Sequence, residues 1–128
     1  MKILKILLAA VMFTFVLNGC KYSFIVPEEV IIPDPNKDIS FAEEIEPIFN
    51  AGNLCTSCHN TGGQLPDLST GNAYSAINAS RYINRSTPEE SLIYTYPHPD
   101  TNTHTRKKYS ASQAILILTW IQQGAKDN

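Results

Sequence analysis

The sequence predicts a small all-α domain, about four short helices gathered around one five-residue motif. Three observations predict it. Ser40 with Glu43 and Ser110 with Gln113 are capping boxes, and each opens a stretch whose apolar residues repeat with the helical period. Thr87-Pro88-Glu89-Glu90 is a third start signal: a cap, a proline at the first helical position and an acidic first turn. Between the first helix and the rest stands Cys55-Thr56-Ser57-Cys58-His59, where the chain concentrates its reactive side chains.

Ahead of the domain lies a targeting segment. Met1 to Lys5 carries two positive charges, and Ile6 to Leu17 is an almost unbroken apolar run. That run is shorter than the roughly 20 residues a membrane-spanning helix needs. It ends in Leu17-Asn18-Gly19-Cys20, which resembles the lipobox of bacterial lipoproteins. The resemblance implies a signal peptide over residues 1–19, lipid on the Cys20 thiol and a mature chain that starts there. Several acyl chains anchor stably, whereas one alone binds membranes only marginally. Lys21 after the cysteine favours the outer membrane. Residues 20–39, with three prolines and no helical period, read as the lipidated N-terminus and an extended tether. Ile25-Val26 and Val30-Ile31-Ile32 would equally suit a strand-like segment packed on the domain, and the sequence leaves both readings open.

Residues 40–128 form the domain. Without residues 1–19 the chain has 109 residues, with eight basic side chains against twelve acidic ones, a formal charge of −4. That balance argues against a nucleic-acid partner. The mature chain is light in apolar material, so a buried cofactor would supply much of its core. A monomer is expected.

The first helix follows Ser40, with Phe41, Ile45, Ile48 and Phe49 on one face. Pro47 lies inside the pattern and should bend or shorten it. Asn50-Ala51-Gly52-Asn53 ends the helix and delivers the chain to Cys55. C-x-x-C-H is the attachment pattern of a c-type haem. Two thiols at this spacing form thioethers with the haem vinyl groups, and the histidine is held against the iron as proximal ligand. A thioredoxin-like pair would need a βαβ setting, which is missing. A structural zinc site needs four ligands, and the exported chain has only two other histidines and one other cysteine. Lipid on Cys20 and haem on Cys55 and Cys58 use all three cysteines, which removes the odd thiol from an exported protein.

A turn-rich run, Asn60 to Leu68, follows the motif, and Asn72 to Ile77 reads as a short helix burying Ala73, Tyr74 and Ile77. The helix begun at Thr87 should continue through Leu92 and Ile93 to about Tyr96, where Pro97 and Pro99 stop it. Residues 97–109 form a loop rich in Thr, Asn, His and Lys, which nothing but a bond to metal is expected to fix. The last helix opens at Ser110 and is capped by Gly124. Its predicted face is Ala114, Ile117, Leu118 and Ile121, widened by Ile115, Leu116 and Trp120.

Phe41-x-x-x-Ile45-x-Pro47-Ile48-Phe49, the haem motif and the closing Trp120-Ile121-Gln122-Gln123-Gly124-Ala125 together resemble single-haem bacterial cytochromes c of the planctomycete type. The resemblance covers residues 40–125. It implies a cytochrome c-like fold around one covalent haem c, with the last helix crossing the first near the haem edge. Asn60 to Leu68 is similar to the class I cytochrome c pattern of glycines followed by Pro-x-Leu. By that resemblance the Pro66 carbonyl accepts the His59 Nδ1–H, and Leu68 packs on the haem face. In one respect the chain departs from the family. Many relatives place a ligating methionine before the final helix, but the only methionines here are Met1 and Met12, in the signal segment. His104 stands close to the family methionine's position and is the expected distal iron ligand. His98 is the second candidate, with Lys107 and Lys108 behind it.

These readings imply an electron carrier rather than an enzyme: a lipoprotein of the cell envelope, periplasmic or surface-exposed, serving redox partner proteins. A haem enzyme or ligand sensor with an open sixth iron position is the alternative, and an accessory lipoprotein with a purely structural haem is a third.

Overall fold

Among the described residues the fold is carried by the α-helices Glu46–Asn50 (α1), Ala73–Ile77 (α2), Leu92–Thr95 (α3) and Ala111–Gln122 (α4), joined by a π-helical turn at Phe41–Ile45 and 3₁₀ turns at Ala51–Asn53 and Pro88–Glu90. The computed structural model describes Ile3, residues 29–106 and residues 108–128. Cys20 and Lys107 lie outside the described residues, as does the expected signal peptide apart from Ile3. Among the described residues every regular element is helical, and no helix is long and apolar enough to cross a membrane.

Pro47 acts on the turn before it. With no N–H to donate and a ring that crowds the carbonyl four residues back, it cannot continue an ordinary α-turn. The chain widens instead, so that Ile45 N–H reaches the Ser40 carbonyl at 3.3 Å and Glu46 N–H reaches that of Phe41. This π geometry changes the cap. Ser40 Oγ accepts from Glu43 N–H at 3.2 Å as predicted, but the carboxylate that returns to Ser40 N–H, at 2.9 Å, is that of Glu44. That bond, with Lys37 3.3 Å away, holds the Glu44 carboxyl below its ordinary range against a smaller opposing effect of burial. Phe41, Ile45, Ile48 and Phe49 all face inward.

The capping box of α4 is reciprocal: Gln113 N–H donates to Ser110 Oγ at 3.2 Å, and Ser110 N–H to Gln113 Oε1 at 2.9 Å. Ser110→Ala is expected to cost about 1 kcal/mol, a fall of roughly 4–8 °C in Tm for a domain of this size, read by thermal unfolding. At the other end Gly124 takes φ +101°, and its N–H bonds to the Ile121 carbonyl while that of Ala125 bonds to Trp120. This is the two-bond closure for which glycine is favoured. The buried stripe of α4 is Ala114, Ile117, Trp120 and Ile121. Trp120 therefore belongs to the face and Leu118 does not, because the stripe centres on Ile117 and residue 118 lies about a quarter-turn away.

Trp120 joins α4 to the start of the domain. Its ring lies 5.3 Å from that of Phe41, which meets Tyr74 of α2 edge-on at 5.2 Å. The chain after α4 then folds back on the π turn. Ala42 N–H and Ser40 Oγ both donate to the Asn128 carbonyl, and Lys126 pairs with Asp38 at 2.6 Å.

The predicted helix from Thr87 to Tyr96 is two pieces. Ser91, buried and extended (φ −59°, ψ 128°), separates the 3₁₀ turn from α3. Its hydroxyl accepts from Asn84 N–H at 2.9 Å, and Ile93 N–H donates to the Tyr82 carbonyl. Bonds to the preceding loop thus displace the helical ones. Of the stretch expected to be a tether, residues 29–39 are described. Ile31 N–H donates to Ser112 Oγ at 3.0 Å, and Ile39 is already part of the core, so this stretch lies along α4 without forming a strand.

Candidate functional site

A cavity of about 780 Å³ opens between the C-x-x-C-H motif, α3 and the loop that precedes α4. Its size is within the range of about 300–1,000 Å³ typical of ligand and cofactor pockets. The floor is set by the end of α1. Gly52 takes φ +57°, turning the chain so that Cys55 N–H reaches back to the Phe49 carbonyl at 3.0 Å. Cys58 and His59 N–H groups both donate to the Cys55 carbonyl, at 3.1 and 2.9 Å, so the motif is one tight turn. Cys55, Cys58 and His59 all line the cavity and are half-buried.

The loop after His59 is closed by its own backbone. Gln64 N–H donates to the Cys58 carbonyl and Leu68 N–H to that of His59, both at 2.9 Å. Gly63 passes so close that a Cβ there would stand 2.5 Å from the Cys58 carbonyl oxygen, so no other residue fits without a shift of backbone. Asp67 fastens the far side: its carboxylate accepts from Thr61, Ser69 and Asn72. These bonds, the Ser69 hydroxyl foremost, hold the Asp67 carboxyl below its ordinary range. The structure thus places Pro66 where the sequence expects it, its carbonyl 3.2 Å from His59 Nδ1. A carbonyl only accepts, so Nδ1 carries the proton and Nε2 keeps a lone pair. Leu68 is buried in the cavity wall.

His104 also lines the cavity. Its ring centroid is 6.3 Å from that of His59, with the planes 34° apart. His59 and His104 are the residues that would hold a metal ion in this cavity, each through an imidazole nitrogen. His104 Nδ1 donates to the Arg106 carbonyl, which again leaves Nε2 as the acceptor. Tyr96 meets the His104 ring edge-on at 5.6 Å. The two imidazoles therefore share one tautomer, one kind of backbone anchor and one cavity. That is the environment metal-ligating histidines ordinarily have.

The other candidates are placed elsewhere. His98 does not line the cavity; it stacks edge-on against Tyr94 at 5.0 Å, and its Nδ1 accepts from Asp100 N–H at 3.2 Å. Its Nε2 is then the protonated nitrogen, the reverse of what a ligand at that atom needs. Lys108 Nζ is taken up by the Pro99 and Thr101 carbonyls. Loop 97–109 is also better held than predicted. Thr103 Oγ1 donates to the Tyr96 carbonyl at 2.6 Å, Thr101 Oγ1 to those of Thr95 and His98, and Tyr109 N–H to that of Pro97. Threonine hydroxyls, whose partners composition alone does not reveal, do this fastening.

Two features of the cavity were not foreseen. Leu65, Leu92 and Tyr96 are 82%, 37% and 47% exposed, yet all three line it, so apolar surface faces the opening. Tyr109 is buried in the wall. The signal for it was available: it sits just before the Ser110 cap, the position that packs on the fourth residue of a helix, here buried Ala114. Among the described residues no group of three or more His, Cys, Asp or Glu side chains is arranged to hold a metal. A metal between His59 and His104 would take its other ligands from a cofactor. No known family, curated protein or solved structure matches this chain.

Proposed function

We propose that this chain is a lipid-anchored, single-haem c-type cytochrome that carries electrons in the periplasm or at the cell surface. Cys55 and Cys58 would attach the haem covalently, and His59 and His104 would hold its iron. The reading rests chiefly on the His59–His104 pair, 6.3 Å apart by ring centroids across a cavity that both motif cysteines line. Apolar Leu65, Leu92 and Tyr96 at the opening fit a flat hydrophobic group that would cover them.

Bound there, the haem iron supplies a one-electron redox centre. The residues of the chain hold that centre still. The Pro66 and Arg106 carbonyls orient the His59 and His104 imidazoles that would hold the iron. Leu68, Ile93 and Tyr109 keep water from the inner wall. Two histidines lack the upward shift of potential that a methionine ligand gives. The acidic surface favours fast, salt-sensitive docking on basic redox partners.

Stopped-flow mixing of the reduced holoprotein with small and protein oxidants tests the carrier reading. Rapid, reversible one-electron exchange is expected, slowed by salt for basic protein partners. Failure to exchange with any of them would remove its basis. Anchoring is tested separately: Cys20→Ala should move the protein from the membrane fraction to the soluble one with its haem retained. Persistence in carbonate-washed membranes would refute lipidation at Cys20.

A further inference from the structure

Outside the cavity, and apart from Ile3, the large apolar side chains exposed among the described residues are three in succession. They are Val30, Ile31 and Ile32, at 44%, 71% and 78% exposed. A continuous apolar strip in water marks a contact with a partner or a membrane. The strip is also pinned. Ile31 N–H donates to Ser112 Oγ at 3.0 Å, and that hydroxyl donates to the Glu29 carbonyl. Further along, Ile39 N–H donates to Gln123 Oε1 at 2.8 Å, and Gln123 Nε2 to the Lys37 carbonyl at 3.0 Å. Ser112 and Gln123 lie on one face of the helical path, at opposite ends of α4. Residues 29–39 are therefore a strap fastened at both ends, with the apolar strip at the end nearer Cys20.

We infer that Val30, Ile31 and Ile32 seat the domain on the lipid bilayer that carries its anchor, their side chains entering the boundary between headgroups and acyl chains. The inference rests on lipidation of Cys20, as proposed above. Cys20 stands ten residues before Val30, a reach of at most about 35 Å. Three side chains are a weak hold for a free protein. On so short a leash the contact becomes intramolecular, and a weak attraction suffices. That attraction is apolar rather than electrostatic. Lys37 and Lys126 pair with Glu44 and Asp38, and Glu29 and Asp34 flank the strip. A second copy of the chain fits less well, because three side chains fall far short of the ~800 Å² per partner of a stable interface.

The test uses the lipidated holoprotein in phosphatidylcholine vesicles containing a phospholipid with an acyl-chain diazirine and another with a headgroup fluorophore. Illumination should cross-link lipid to residues 30–32, located by mass spectrometry, and the haem should quench the fluorophore. The double variant Ile31→Asp with Ile32→Asp should lose those cross-links and much of the quenching, while its low-spin haem spectrum shows the domain intact. Absence of lipid cross-links at residues 30–32, with Cys20 acylated, overturns the inference and leaves the anchor reading standing. Quenching that the double variant leaves unchanged also overturns it, since the strip would then touch lipid without seating the domain. Cross-links between two copies through the strip would assign it to self-association and overturn it again. An intact mass without acyl chains on Cys20 refutes the anchor reading itself, and this inference with it.

Discussion

His104→Ala is expected to convert a six-coordinate haem spectrum into a five-coordinate or water-bound one and to admit carbon monoxide to the reduced iron, while His98→Ala does neither. The structure distinguishes the two histidines by tautomer as well as by place. His104 lines the cavity with its Nδ1 bound to a carbonyl and Nε2 available. His98 is outside the lining, with its Nδ1 accepting a backbone N–H. The gain in carbon monoxide affinity measures how firmly His104 closes the sixth position. Every ~1.4 kcal/mol of closure makes it tenfold, so a position open about 1% of the time gives about 100-fold. Because the Thr101, Thr103 and Lys108 bonds persist in the variant, the loop should stay in place and the protein lose a ligand rather than a segment. The opposite pattern would move the role to His98. Tight carbon monoxide binding by the unaltered protein would instead favour an open-site haem enzyme or sensor.

Cys55→Ser and Cys58→Ser are each expected to weaken covalent haem retention, and the double variant to abolish it, read as haem-stained protein after denaturing electrophoresis. Serine keeps the size of the side chain but forms no thioether, so the loss isolates the bond from the fold. His59→Ala should do more damage, because it removes a ligand and leaves the Pro66 carbonyl without its donor. Retention of a fully covalent haem in both single variants would overturn the attachment assignment.

Much of this was legible in the chain because the signals are local. Ser110 and Gln113 find each other across one helical turn, and Phe41, Ile45, Ile48 and Phe49 share a face by period alone. Pro66 lies near enough to His59 in sequence for one closed loop to bring them together. Where local pattern failed, a contact distant in sequence or a backbone change had intervened. Pro47 widened its turn and passed the capping role from Glu43 to Glu44. Ser91 gave up its helical place for Asn84. Leu118 lost to Trp120 because the position of Phe41 decides which side of α4 is inside.

The sequence by itself determined the chemistry that this chain brings: two thiols and an imidazole at fixed spacing, a lipobox-like cysteine, no methionine after Met12, and helices with marked ends. Those are properties of neighbouring residues, and the geometry of a single turn is enough to read them. Only the tertiary structure brought His104, and not His98, to the cavity that His59 lines, placed the phenol of Tyr109 in the cavity wall, and laid residues 29–39 along α4. Each of those depends on how far a loop folds back and which hydrogen bonds stop it. Free energies of that kind are summed over many weak contacts between distant residues, and no short stretch of sequence contains them.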